Sequence, residues 1–185
     1  MQFNEKKRRP SGAFPTLPAG MDGVLKAFYG NPKRLAETGL KVQGFPKPEL
    51  LKDWQNNWKC LRLTNKKGHT LKGTVDNLVM ENGKVVVLDY KTRGFPLKDD
   101  TVERYRLQMS VYTYILEQLG YKTSKHTYLL FYYPRGLSKY DQVSFHVVAI
   151  KLDVEAAYAR SVFEQAIGCL EGTKPPNCCE WCAYG

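Results

Sequence analysis

Nowhere in these 185 residues do eighteen apolar side chains follow one another, which excludes a membrane-spanning helix. The N-terminus also lacks an apolar core followed by a small-residue cleavage site, so a secretory leader is not expected. Histidine is scarce, with three residues and none before His69. Acidic residues are outnumbered: 18 Asp and Glu face 28 Lys and Arg, leaving a formal charge of +10. That excess suits a polyanion, above all nucleic acid. An anionic membrane surface fits less well, because no strongly amphipathic basic helix stands out. The five cysteines are odd in number, and all but Cys60 crowd the end of the sequence at Cys169, Cys178, Cys179 and Cys182. This is not the framework of a small disulfide-stapled protein, and a reducing, cytoplasmic setting is expected. No internal repeat is visible.

What is present reads as one α/β domain over residues 18–170. A basic arm precedes it (residues 1–17, with Lys6, Lys7, Arg8 and Arg9), and a Cys/Pro-rich tail follows (171–185). Apolar spacing predicts helices over 18–29, 32–35, 49–58, 101–119 and 153–170, the last capped by Asp153. Strands are expected at Leu71–Met80, Lys84–Lys91, His126–Tyr133 and Val143–Leu152.

The first two strands flank Asn82-Gly83, a strong two-residue hairpin signal because both residues tolerate positive φ. If those two form the turn, Glu81 faces Lys84. Counting outward then sets Asp76 opposite Asp89, with Lys91 on the same face. Leu78, Met80, Val85 and Val87 share that face, while Val75, Val79, Val86 and Leu88 take the other, so both faces look buried. Opposed Cβ atoms lie roughly 5 Å apart. Two carboxylates at that distance repel by about 3 kcal/mol at an effective dielectric of 20, before any desolvation cost. Such a pair is stable with a cation between its members or with one member protonated. All-oxygen ligation favours Mg²⁺ or Mn²⁺ over Zn²⁺. A lysine beside a metal-activated water and a phosphoryl group completes the parts for phosphodiester hydrolysis. The bland alternative is a surface pair with Lys91 as a salt-bridge partner.

On the following helix Tyr105, Gln108, Met109, Tyr112 and Leu116 share one face. Gln108 is polar within that stripe. It either bonds to backbone in the core or turns toward the carboxylates.

Three segments carry a family resemblance: Gly73-Thr74-Val75-Asp76, Asp89-Tyr90-Lys91-Thr92 and Gln108-Met109-Ser110-Val111-Tyr112. Together they resemble the motifs of the PD-(D/E)XK nuclease superfamily, in its RecB-like branch of AddB-type and CRISPR-associated exonucleases. The resemblance implies a restriction-endonuclease-like core, a central mixed sheet with flanking helices, and an Mg²⁺- or Mn²⁺-dependent deoxyribonuclease acting at DNA ends. It implies metal ligation by Asp76, Asp89 and the Tyr90 carbonyl, nucleophile assistance by Lys91, and organisation of the site by Gln108 and Tyr112. Lys6, Lys7, Arg8, Arg9 and Arg93 are candidates for DNA contact, and a helicase or CRISPR adaptation proteins for partners.

Two departures stand out. Relatives carry an upstream His or Glu ligand, for which Glu49 and Glu37 are the candidates here; His69 lies close before the strand. Relatives with a [4Fe–4S] cluster use one early and three late cysteines. Here Cys179 and Cys182 fit part of that pattern, with Cys178, Cys169 or Cys60 left to supply the rest. A cluster, a zinc site and free thiols all stay open. A DNA-binding or assembly subunit on the same fold, and a metal-dependent phosphohydrolase of another class, are the competing functional readings.

Overall fold

The computed structural model describes residues 16–31, 33–34, 37–41, 43–44 and 60–173. The helix expected at 49–58, both end residues of the one at 32–35 (33–34 are described and helical), the basic arm up to residue 15 and the tail from residue 174 lie outside the described residues.

The chain opens with helix α1 (Thr16–Tyr29). It begins two residues before the expected start, with Pro18 in the first turn, where its missing N–H has no helical partner to lose. Strands β1 (Gln43–Gly44), β2 (Leu61–Thr64), β3 (Thr70–Gly73), β4 (Asn77–Glu81) and β5 (Lys84–Thr92) follow. A 3₁₀ turn at Glu103–Tyr105 leads into α2 (Arg106–Gln118). Strands β6 (His126–Leu137) and β7 (Val143–Asp153) and helix α3 (Ala156–Glu171) complete the order. Helix α3 is preceded by Glu155, not Asp153, and no side chain caps it. The backbone stays extended through Asp153, which still pairs with His126 at the end of the β6–β7 ladder.

The main sheet runs β1-β4-β5-β6-β7. The β5–β6 pair is parallel and the other neighbours are antiparallel. Parallel pairing needs a crossover, and α2 supplies it between β5 and β6. This is the mixed sheet with flanking helices of a restriction-endonuclease-like fold.

The β4–β5 hairpin turns on Asn82 and Gly83, both at positive φ (50° and 74°), with Glu81 facing Lys84 and Asn77 facing Leu88. Glu81 anchors the turn to β6, lying 2.6 Å from His126 Nε2 and accepting a hydrogen bond from the Tyr128 hydroxyl.

The expected strand Leu71–Met80 is two strands. Residues 74–76 break it, and its first part, β3, pairs with β2 in a separate two-stranded sheet. That small hairpin packs against α2.

Alternation along β4 and β5 divides the core as the hairpin count requires. Leu78, Val85 and Val87 join Met109, Tyr112, Ile115 and Leu116 of α2 on one face. Val79, Val86, Leu88 and Tyr90 join Leu25 and Tyr29 of α1 on the other. Val75 is the exception. It packs on the α2 side, because it sits in the break where strand alternation does not apply.

Candidate active site

Asp89 lies in the middle strand of the main sheet with only 2% of its surface exposed. Its Oδ2 is buried and accepts no well-angled hydrogen bond, although Lys91 Nζ sits 2.5 Å away. Burial pushes the Asp89 carboxyl up to about 6, against the pull of Lys91 and with the help of the Asp76 charge. The carboxylate is therefore held in a place that disfavours its charge.

Asp76 stands just before β4, one step beyond the Asn77–Leu88 pair, so the ladder extrapolates to Asp89 as its partner. Its position is fixed from two sides. Tyr90 N donates to Asp76 Oδ2 at 2.9 Å. Lys26 Nζ, reaching from α1, lies 3.1 Å from Asp76 Oδ1 and 2.7 Å from Asp22 Oδ2. The two aspartates thus meet at the carboxyl end of the parallel pair β5–β6, where open α/β sheets commonly place ligands.

Lys91 is held by more than Asp89. Its Nζ donates to Gln108 Oε1 at 3.3 Å and lies 4.8 Å from the centre of the Tyr105 ring. Gln108 Nε2 in turn donates to the Tyr112 hydroxyl at 2.7 Å. Burial pushes the Tyr112 phenol up to about 12, with Asp89 and Asp76 adding to the rise. Asp89, Lys91, Gln108 and Tyr112 therefore form one connected chain of polar groups from β5 to α2. Gln108 takes the second of its two sequence readings, turned toward the charged groups.

Gly73 explains why a glycine stands three residues before Asp76. A Cβ built there would sit 2.4 Å from Tyr112 Cε1 and 2.7 Å from Cδ1. Gly73→Ala is expected to push the Tyr112 ring out of place and break its contact with Gln108. Overpacking of this kind costs roughly 1–3 kcal/mol of stability. A thermal melt of the purified variant measures it, and an unchanged melting temperature would show that Tyr112 has room to move.

The remaining expected residues fall elsewhere. The Tyr90 side chain is on the α1 face, stacked on Tyr29 at 5.3 Å, and its hydroxyl accepts from Asn77 Nδ2. His69 lies beside the turn between β2 and β3, in contact with Asn65 and 3.7 Å from Glu171. Glu37 is exposed and paired with Arg34. Neither faces the two aspartates. Cys60 is a buried free thiol and Cys169 an exposed one. Glu49, Cys178, Cys179 and Cys182, together with Lys6, Lys7, Arg8 and Arg9, lie outside the described residues. Among the described residues no group of three His, Cys, Asp or Glu side chains gathers into a metal cage.

Lys26 is the site residue that sequence reasoning missed. The only signal was Asp22 and Lys26 at helical i, i+4 spacing, which marks a surface pair and says nothing of Asp76 fifty residues on.

The chain matches the family model of the PD-(D/E)XK nuclease superfamily over residues 20–185. It belongs to that superfamily. It is also similar to an ATP-dependent helicase/nuclease subunit from Ruminiclostridium cellulolyticum, 41% identical over 61 residues. That stretch is 32% of this chain and 5% of the relative, so the match covers a small part of a much longer protein. No solved structure matches the chain significantly. Among the described residues no helix is long and apolar enough to cross a membrane.

Proposed function

We propose that the chain is a divalent-metal-dependent deoxyribonuclease that hydrolyses DNA phosphodiester bonds at strand ends. The observation that carries this reading is the connected set Asp76, Asp89, Lys91, Gln108 and Tyr112 at the open end of β5, in a chain of net charge +10.

The donor set suits a hard cation. Two carboxylates, one of them buried and paired with Lys91, supply oxygen ligands, and the Tyr90 carbonyl is a third candidate. Mg²⁺ commonly binds through one or two carboxylates and keeps several waters, so a full protein cage is not required. When bound, the ion supplies an acidified water and polarises the phosphate. The protein's own part is positional. Asp89 orients Lys91, and Gln108 holds the ammonium from the other side. Lys91 is thereby fixed where it can stabilise an attacking hydroxide or the charge that grows on the phosphoryl oxygens.

The test is incubation of labelled linear and circular single-stranded DNA, and of duplex DNA, with Mg²⁺ or Mn²⁺. Asp89→Ala and Lys91→Ala run alongside. Cleavage of linear substrates by the wild type, lost in both variants, supports the reading. Cleavage retained in both sinks the catalytic assignment. Cutting of circular DNA removes the end requirement, and binding without cutting favours a DNA-binding or assembly subunit. The cysteine question is separate: visible absorbance of anaerobically purified protein, with its iron and zinc content, decides between a [4Fe–4S] cluster, zinc and free thiols. Association with a helicase or with CRISPR adaptation proteins is likewise tested by co-purification.

Lys26 makes its own prediction. Its ammonium and a metal ion compete for the Asp76 carboxylate. A unit charge and a divalent ion on opposite sides of one carboxylate, roughly 6 Å apart in a water-like dielectric, repel by about 1.4 kcal/mol, or roughly tenfold in affinity. Lys26→Met is therefore expected to lower, by up to about tenfold, the Mg²⁺ concentration that half-saturates a thermal shift. A weakened Mg²⁺ response would instead mean that Lys26 holds Asp76 in its ligating position.

A further inference from the structure

Beyond the carboxylate site, a cavity of about 550 Å³ opens directly past Lys91 in the chain. Leu17 and Met21 of α1, Thr92 and Arg93 at the end of β5, and Pro134 and Phe145 of the β6–β7 hairpin line it. Pro134 and Phe145 face each other in the hairpin ladder. Because β6 runs parallel to β5, with Lys91 beside Phe131 and Thr92 beside Tyr132, the hairpin extends past the same end of the sheet that carries Asp89 and Lys91. The cavity therefore lies at the same end of the sheet as the carboxylate site, on its α1 side.

Two features say what fits there. The walls are almost wholly apolar, and Phe145 keeps 37% of its surface exposed. Among them stands one cation whose Nε is buried with no hydrogen-bond partner among the described residues, Arg93. Arg93 is tied in place through its backbone N–H, which donates to the Tyr132 carbonyl at 2.8 Å. Nε itself is shut off from solvent-sized contact and Arg93 is only partly buried, so an acceptor in the cavity meets the guanidinium through its terminal nitrogens. A phosphate would satisfy the arginine but would be stranded among apolar side chains. A nucleobase satisfies both. Its face covers Phe145 and the aliphatic walls, and its carbonyl or ring nitrogen accepts from the guanidinium. The volume lies within the range of small-molecule sites.

We propose that this cavity receives one unpaired base of the DNA strand whose phosphate reaches Lys91, so that the site selects single-stranded or frayed DNA. The inference rests on the nuclease reading for the identity of the strand, and it adds substrate class to that reading. A base inside a duplex is stacked and paired and cannot enter, so opening it carries a cost.

The test is fluorescence anisotropy in EDTA, where nothing is cut. The probes are a labelled oligothymidylate, an abasic oligonucleotide with the same number of phosphates, and a duplex of equal length. Wild-type protein is expected to bind the oligothymidylate on the order of tenfold tighter than the abasic strand, as a base stacked on an aromatic side chain requires. Phe145→Ala is expected to erase that difference and leave the abasic affinity unchanged, while Phe145→Trp retains it. Equal wild-type affinity for the two single strands overturns the proposal. So does a Phe145→Ala variant that loses affinity for both alike, since phosphate contact or folding would then be the cause. The nuclease reading is judged apart from this by the cleavage assay. Base discrimination without cleavage would leave the pocket standing on a binding module, and cleavage without discrimination would remove the pocket alone.

Discussion

Asp89→Asn is expected to yield a protein that cuts no DNA and yet melts higher than the wild type when no metal is present. The reason is the burial of the Asp89 carboxyl, whose ionisation is pushed up to about 6 although Lys91 favours the charge. Between the unfolded value near 4 and about 6, the folded state binds more protons than the unfolded one. Stability of the metal-free wild type therefore falls as pH rises through that window, and the loss is complete above it. That displacement corresponds to roughly 3 kcal/mol. Asparagine has nearly the shape of the protonated acid and does not ionise, so at neutral pH the variant escapes that loss. For a chain of this length the gain is on the order of 5–10 °C in melting temperature. Added Mg²⁺ or Mn²⁺ should then raise the wild type and leave the variant where it is. A variant that melts lower at pH 7.5, or that responds to the ion as the wild type does, would show that Asp89 serves the fold and not a cation.

The register behind this expectation is legible in the sequence, because it depends on local chemistry alone. Asn82 and Gly83 accept positive φ, the turn fixes Glu81 against Lys84, and period-two alternation does the rest. Gln108 and Tyr112 follow from helical spacing.

The misses share a physical cause: they are set by tertiary neighbours. Strand β2 is four residues long with two apolar side chains, too short a pattern to stand out, and it exists because β3 and α2 cover it. The break at residues 74–76 has no glycine or proline inside it. Its purpose lies in the contact it makes, where Asp76 accepts from the backbone of Tyr90 instead of continuing a ladder. Lys26 joins the site only because α1 lies along the face formed by Val79, Val86 and Leu88. Arg93 stands out in the sequence as a basic residue near the motif, but nothing in its surroundings foretells an apolar cavity built from α1 and the β6–β7 hairpin.

Lys91→Ala is expected to cut turnover severely while moving stability in the opposite direction from Asp89→Asn. Loss of one positioned electrostatic donor in an active site commonly costs about 10²–10³ in turnover. In stability the variant removes the only cation within ion-pair distance of Asp89 among the described residues, and it leaves a buried carboxylate to bear its charge alone. Breaking one side of a buried pair costs about 3–5 kcal/mol when the other side stays charged. Asp89 can escape part of that by taking a proton, so its ionisation rises further and the penalty shrinks as pH falls. Melting curves should therefore show Lys91→Ala well below the wild type at pH 8 and closer to it at pH 5. Combining the two substitutions separates chemistry from folding. With Asp89→Asn in place there is no charge left to strand, so Lys91→Ala should then cost little stability, a coupling that a double-mutant cycle reads directly. The double variant should fold as well as Asp89→Asn and remain inactive. If instead Lys91→Ala costs the same in both backgrounds, the 2.5 Å contact is incidental, and Lys91 acts on the fold through Gln108 and the Tyr105 ring.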